Sequence, residues 1–468
     1  MFSSNNSVRT DAQDSGWAIW LGFFIAALYS SGIFTGDLRG DGIRYASISK
    51  NVLESGQWMI LTFDNHVYLS KPPLFFWLNT IPMKFLGYSV FSAKLMQVFI
   101  TFLLNAVLFK TVLRLFGRVS LASLTILVAN TTYVVYKNTY SLTLEPIVTL
   151  FIALSLLMFI EYLESGKARC AYLWAVFSGM AVMSKGIIGF AAFFVVLLFM
   201  ILFERRLLKN HFFKVFVPSA LIFTATFAWW YVYVGVRTDF FVHFFRLEFL
   251  DRLMNGLFHD PAASSGYTER PVYQYVVDLF KYHFLYIIPL AYGAYRLSGE
   301  IKRNKGLMLI AFVVLSDFVL IHFVSTRVLR YLYQPLFFAS IFTAYGIECL
   351  FKADYRKFMI YASCLYFVVT SFVPHGYNKW NAYGWLQELN TLAKESSSPV
   401  VASFPDPKDE EHRAAVDYFI ESYQENEPQS GCFYKVADKN SPENMMLLKT
   451  TRRLKIGVKC SGEAILLK

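Results

Sequence analysis

Charge is scarce in this chain. Of 468 residues only 16% are Asp, Glu, Lys or Arg, against 56% apolar and 18% aromatic. A soluble domain has roughly twice as many apolar as charged residues; the higher ratio here and a mean hydropathy of +0.41 place the chain in the membrane class. Cysteine is sparse as well. Three of the five, Cys170, Cys349 and Cys364, lie in or beside apolar runs, while Cys432 and Cys460 lie near the C-terminus, where a disulfide and two free thiols are equal readings. Internal repeats and Gly- or Ser-rich linkers are absent, which argues against a solenoid or a string of tethered modules. The first apolar run follows a polar, mixed-charge start without a small-residue cleavage site, so it reads as a retained span and not a signal peptide. The net charge of +11 does not point to nucleic acid, because the Lys and Arg residues scatter through loops and form no single patch.

What the chain has in abundance is apolar runs near the ~20 residues that a helix needs to cross the hydrocarbon. They lie near 17–34, 89–109, 119–136, 146–163, 170–184, 186–203, 212–234, 273–295, 307–324, 331–351 and 358–374. With the N-terminus inside, the five short inner loops hold sixteen Lys and Arg against five acids, Glu161, Glu164, Glu204, Glu300 and Asp354. That bias sets the orientation and places the C-terminal tail outside. The expectation is an α-helical integral membrane protein of about eleven transmembrane helices (ten to thirteen).

Two external segments are long, 35–88 and 235–272. In the first, "GDGIRYASISKNVLESG" predicts a helix closed by Gly56. A second, interfacial helix, "LFFWLNTIPMKFL", follows Pro72 and Pro73. The stretch "VYLSKPPLFFW" thus holds Lys71 on stiff backbone beside an aromatic surface. From about 376 the chain becomes polar; a charged helical stretch and the runs "PVVASF", "CFYKVA" and "RLKIGVKC" predict a small α/β domain over 376–468, after a membrane domain over 1–375. The tail shows no nucleotide loop, no metal-spaced His/Cys set and no Ser/His/Asp pattern.

With this topology Asp41, Arg44, Lys71, Glu145, Lys185, Arg246, Glu248, Arg252, Arg270, Arg327 and Arg330 fall on the outer side, several at span ends where charge is costly and usually paired or functional. Asp41 is a candidate base or orienting carboxylate, and equally a cap for the helix starting at 42–43. Glu145, before Pro146, suits a helix N-terminus. Lys185 beside Gly186, Lys71, and Arg330 before Tyr331 suit an anionic headgroup, or snorkelling alone. Asp317 and His322 lie inside a span, and satisfying neighbouring helices is the expectation for both.

The acid-plus-"RYA" segment followed by "SGQW" and "YLSKPPLFFW" resembles the first loop of the C-type (GT-C) polyprenyl-phosphate-sugar-dependent glycosyltransferases, in particular the lipid A aminoarabinose transferase (ArnT-like) family and its relatives. "NTYSLTLEPIVTLF", "GMAVMSKGIIGF", "FFVHFFRLEFLDRL" and "RVLRYLYQP" extend the resemblance over about residues 17–350, in order. The resemblance implies a GT-C-like fold and an inverting transfer of one sugar from a polyprenyl-phosphate donor to a lipid A-type or other envelope glycan, at the periplasmic face of a bacterial inner membrane. It implies Asp41 and Glu145 as catalytic carboxylates and Lys71, Lys185, Arg330 and Arg252 on the lipid phosphate. Arg44, Tyr45, Tyr68, Glu248 and Tyr331 would line the substrate. No cofactor is implied. Relatives often place Glu before the Lys-Pro motif and His in the loop after the seventh span; here Ser70 and Phe249 stand instead, which disfavours a divalent metal and leaves the sugar open. Protein hydroxyls are an alternative acceptor class. A lipid-linked sugar transporter or flippase is the rival from another class; it predicts polar residues along several spans, whereas here they gather at one face. An envelope scaffold using the tail for contacts is a further alternative.

Overall fold

The computed structural model describes residues 32–33, 38, 40–64, 66–242, 271–324, 327–351, 384–396, 399–402, 410–420, 431–438, 446–450 and 454–461. The main elements begin with α1 (Asp41–Ser55), a hairpin of β1 (Thr62–Phe63) and β2 (His66–Val67), α2 (Leu74–Leu86) and α3 (Val90–Phe116). Then come α4 (Val119–Thr131), α5 (Tyr133–Tyr140), α6 (Glu145–Ser165), α7 (Ala168–Lys185), α8 (Ile187–Phe203) and α9 (Arg205–His211). A π turn, Phe212–Phe216, leads into α10 (Val217–Arg237). The chain continues through α11 (Gln274–Tyr282), α12 (Phe284–Ile301), α13 (Lys305–Leu320) and α14 (Tyr333–Phe351). The tail contributes α15 (Gly384–Ser396), β3 (Val400–Ala402), α16 (Glu410–Phe419), β4 (Gly431–Asp438), β5 (Met446–Thr450) and β6 (Leu454–Ser461).

Among the described residues, five helical runs are long and apolar enough to cross a membrane: Val90–Phe116, Glu145–Ser165, Arg205–Arg237, Lys305–Phe323 and Leu329–Phe351. They coincide with five of the expected spans. The span expected near 119–136 is the pair α4 and α5, bent by 66°. Thr132 leaves helical geometry there (φ −66°, ψ 116°), and the hydroxyls of Thr131 and Thr132 bond back to carbonyls one turn earlier, a habit that bends helices. The spans expected near 170–184 and 186–203 are the shorter helices α7 and α8, and the one near 273–295 is divided at His283 into α11 and α12. Those expected near 17–34 and 358–374 lie largely or wholly outside the described residues.

The described residues form two compact units, each gathered from separate stretches: one from Leu69–Phe75 and Gln97–Val368, the other from Gly32–Tyr68, Phe76–Met96 and Val369–Lys468. The tail therefore groups with Gly32–Tyr68 and Phe76–Met96. In the first unit α6 and α7 pair closely, and α7, α8 and α10 share an aromatic stack in which Trp174 lies 4.5 Å from Phe193 and Phe193 lies 4.2 Å from Phe223. Helices α12 and α14 cross backbone to backbone. A Cβ on Gly293 would collide with the Phe342 carbonyl, and one on Gly346 with that of Pro289, the small-residue contact on which helices in lipid rely.

In the second unit α1 begins at Asp41, one residue earlier than expected, and ends at Gly56 in the left-handed conformation (φ 67°), as expected. The β1–β2 hairpin, turned at Asp64 (φ 51°), was not foreseen because its two-residue strands leave no periodic signal. The tail sheet has the order β3-β4-β6-β5, with β3 parallel to β4 and the other pairs antiparallel. Its register sets Cys432 directly across from Cys460. Such partners lie about 4.5–5.5 Å apart at Cα, within the span of a disulfide. In protein isolated without reductant, alkylation is expected to reach three of the five cysteines, and all five after reduction. Full labelling without reductant would show both thiols free.

Candidate active site

Helices α6 and α7 form an antiparallel hairpin, so the start of the first and the end of the second return to one level. Glu145 is the first residue of α6, followed by Pro146, whose missing N–H and fixed φ suit that turn. Lys185 is the last residue of α7. The two meet: Lys185 Nζ donates to Glu145 Oε1 at 2.5 Å, with the side chains 8% and 5% exposed. Each charge sits at the helix end whose dipole favours it, the acid at an N-terminus and the base at a C-terminus.

Arg330 reaches the same carboxylate from the 3₁₀ turn Leu329–Leu332, its Nε 3.6 Å from Glu145 Oε1. Its neighbour Tyr331 lies under Lys185, with Nζ 5.5 Å from the ring centroid, a cation–π contact. Behind Lys185 the chain turns at Gly186 with φ 73° and ψ −126°, a conformation open only to glycine. A Cβ there would sit 3.7 Å from Pro72 and 3.6 Å from the Tyr231 hydroxyl. The Lys71-Pro72-Pro73 segment thus abuts the Lys185–Gly186 turn. Lys71 Nζ itself donates to the Ser70 carbonyl at 2.9 Å. The first unit therefore gathers Lys185, Arg330, Tyr331 and Glu145, four of the residues singled out from sequence, with cations in excess, and sets the segment that carries Lys71 beside them. Such a set binds an anion and stabilises negative charge that grows on it.

Asp41, Arg44, Tyr45 and Tyr68 lie in the second unit. Gly40 (φ 50°) occupies the cap position and Asp41 is already helical, so the expected capping role is not what its carboxylate performs. It faces Arg44, Nη1 to Oδ1 3.4 Å, with both side chains partly exposed. The Arg44 guanidinium in turn lies 5.7 Å from the Phe63 ring centre. Tyr45 is buried, edge-on to Phe76 at 5.6 Å, and Tyr68 meets the same ring at 6.1 Å. Tyr45 thus packs α1, and Tyr68 the stretch after β2, against the start of α2. Arg252, Glu248 and Phe249 lie outside the described residues.

Asp317 and His322 are engaged by protein groups: Gln334 donates to the Asp317 carboxylate, and His322 Nδ1 lies 2.6 Å from the Phe318 carbonyl. Sequence reasoning passed over Tyr231 and the buried Arg327 as site residues. Tyr231 was hidden in the aromatic run "FAWWYVYVG", whereas Arg327 shares the "RVLRY" segment with Arg330, a signal that could have drawn it in. Glu145 faces two cations, and among the described residues no three of His, Cys, Asp and Glu come together.

Comparisons with known proteins bear on this site. Residues 70–230 match the model of the family described as dolichyl-phosphate-mannose-protein mannosyltransferase. The undecaprenyl phosphate-alpha-4-amino-4-deoxy-L-arabinose arabinosyl transferase of Erwinia tasmaniensis is 27% identical over 272 residues, covering 57% of this chain and 47% of that protein. The enzyme of the same name from Aeromonas hydrophila is 26% identical over 336 residues, 69% of this chain and 58% of that one. The chain spans about half the length of the curated relatives it matches. Among solved structures, ArnT from Cupriavidus metallidurans bound to undecaprenyl phosphate superposes with a TM-score of 0.69 at 13% identity, over 95% of this chain and 98% of that one. Its apo form gives 0.64. The fold is that of ArnT, and the resemblance to the GT-C glycosyltransferases read from the motifs holds.

The Lys185–Glu145–Arg330 grouping predicts a specific stability pattern. Glu145→Gln leaves two cations without their carboxylate and is expected to destabilise the detergent-solubilised protein by about 3–5 kcal/mol. Adding Lys185→Met should recover part of that loss. Thermal unfolding of the two single variants and the double variant checks this, and strictly additive losses would exclude the coupling.

Proposed function

We propose that the chain is a glycosyltransferase of the cell envelope, moving one sugar from a polyprenyl-phosphate donor to a lipid A-type or other envelope glycan, with inversion at the anomeric carbon. The observation that carries this reading is the convergence of Lys185 and Arg330 on Glu145, beside the Lys71-Pro72-Pro73 segment that abuts the Lys185–Gly186 turn. A cation cluster at that depth suits a lipid-borne phosphate. The similarity to transferases named for an undecaprenyl phosphate sugar supports the donor class. The site is read as facing the periplasm, in a multi-pass inner-membrane protein whose N-terminus is cytoplasmic.

In the reaction an acceptor oxygen attacks the anomeric carbon from the face opposite the phosphate. The bond between that carbon and the phosphate oxygen breaks, and the electron pair leaves with the lipid phosphate, whose charge rises. Lys71, Lys185 and Arg330 stabilise that growing charge, with Arg252 as a fourth candidate from the loop after the seventh span. Glu145, engaged by Lys185 and Arg330, acts as the group that holds these cations in position. Asp41 takes the proton where the acceptor is a hydroxyl. Where the acceptor is a phosphate, no proton needs removal and Asp41 orients the sugar. Arg44, Tyr45, Tyr68, Glu248 and Tyr331 are assigned to the substrate surfaces, Tyr45 and Tyr68 acting through packing.

Mass spectrometry of lipid A and surface glycans from a deletion strain tests the reading. Loss of one sugar residue is expected, restored by the wild-type chain but not by Lys71→Ala or Asp41→Asn, although both variants still insert in the membrane. An unchanged glycome with altered lipid flux would identify a transporter, and loss from glycopeptides alone would identify a protein acceptor. Transfer is expected to persist in a metal chelator; strict dependence on a divalent ion would refute the metal-free reading.

A further inference from the structure

Helix α1 carries Asp41 at its first turn and also carries a buried cation. Lys50 is 2% exposed. Burying an ammonium is expensive unless it is bonded, and its partners lie 370 residues away in sequence. Its Nζ donates to the carbonyl of Asp417 and, at 3.1 Å, to that of Ile420. These carbonyls close the C-terminal end of α16, where the last backbone acceptors lack intrahelical donors and the dipole favours a positive charge. One turn before Lys50, Ser47 is fully buried and donates its hydroxyl to the Asp417 carboxylate.

Two further contacts fix the same end of α16. The Tyr418 hydroxyl donates to the Ser89 carbonyl at 2.9 Å, and its ring meets the Tyr88 ring edge-on at 6.1 Å. Glu54, one turn along α1, comes within 3.8 Å of Lys50. Burial pushes the Asp417 carboxyl up in pKa, opposed by the Ser47 hydrogen bond and the Lys50 charge. At about 100° per residue, Lys50 falls on the side of α1 opposite Asp41 and Ser47 about 120° from it. The tail thus grips the back of the helix whose opposite side carries the carboxylate.

We propose that α16 is a positioning clamp for Asp41, with Lys50, Ser47 and Asp417 as positioning residues for the transfer reaction. This rests on the assignment of Asp41 to the reacting centre. The tail is then part of the catalytic apparatus and not an appendage. The phosphate-binding cations lie in the other compact unit, so loosening the clamp lowers turnover and leaves donor binding unchanged.

The test uses the full-length protein in nanodiscs, with Lys50→Met, the milder Ser47→Ala and the charge-retaining Lys50→Arg. Hydrogen exchange is measured along the chain, and transfer is followed with undecaprenyl phosphate-linked 4-amino-4-deoxy-L-arabinose as donor. For Lys50→Met, amide exchange within 41–55 and 410–419 should rise at least about tenfold while α6 and α7 stay as in wild type. Turnover should fall at least about tenfold with donor KM within about twofold. Ser47→Ala should give a smaller change of the same pattern, and Lys50→Arg should restore most of the loss. Unchanged exchange, or faster exchange with unchanged turnover, overturns the clamp, as does a defect confined to donor KM. Absence of transfer by the wild type defeats the activity reading with this donor, and with it the catalytic role of the clamp; the exchange arm then still decides whether the two helices are joined.

Discussion

The ion pair between Lys185 and Glu145, extended by Arg330, is the contact around which the membrane unit is organised. Taking an ammonium and a carboxylate out of water costs several kcal/mol for each ion even after relaxation, and no neighbouring aliphatic group would compensate for leaving either alone. The helices that bring them together are otherwise apolar: α6 and α7 together hold few charges, and those at this end of the hairpin are this pair. The pair therefore acts as a register pin. A slip of α7 by one residue along α6 would move Lys185 by ~1.5 Å and rotate it by ~100°, away from the carboxylate. Gly186 completes the device, because a residue with a Cβ could not make the turn that lets α8 return while Lys185 stays on the final turn of α7.

This arrangement also explains why a carboxylate sits in a set otherwise suited to phosphate. Cations brought together in low dielectric repel one another by an amount comparable to their use. Glu145 offsets that repulsion and fixes both side chains against rotation, so that their charges point to one place before any anion arrives. Preorganisation of this kind, and not the strength of any single bond, is what lowers a barrier when charge develops during reaction.

How much of this was legible in the sequence depends on the range over which each feature acts. Helices α3, α6, α10, α13 and α14 announce themselves by length and apolarity, and the Lys-Gly turn by its interruption of an apolar run. Lys71, Glu145, Lys185 and Arg330 were each visible as charges in improbable places, but nothing local joined Glu145 to Lys185 across forty positions; only the hairpin does. Asp41 was ambiguous between a reacting carboxylate and a helix cap, and the backbone gave the cap position to Gly40, which tolerates positive φ. Lys50 was not legible at all. In an amphipathic segment it reads as a solvated charge, and its burial depends on a helix end contributed by the far terminus. The tail's α/β character could be read from its strands; its grouping with Gly32–Tyr68 and Phe76–Met96 could not.

The division of labour between the units bears on how one scaffold serves different acceptors. In the proposed reaction the donor's phosphate is common to the whole class, and of the groups assigned to it Lys185 and Arg330 are held by their ion pairs with Glu145. The acceptor and the attacking oxygen vary, and the carboxylate assigned to them sits on α1, held by side-chain bonds to a tail helix. Changing the chemistry of the acceptor then requires no disturbance of the buried cation set. It requires only that the face of α1 and its clamp be adjusted, through contacts such as Ser47 with Asp417 and Tyr418 with Ser89, each worth about 1 kcal/mol and individually replaceable. In the proposed reaction the ion-paired cation set is thus the part whose task does not change.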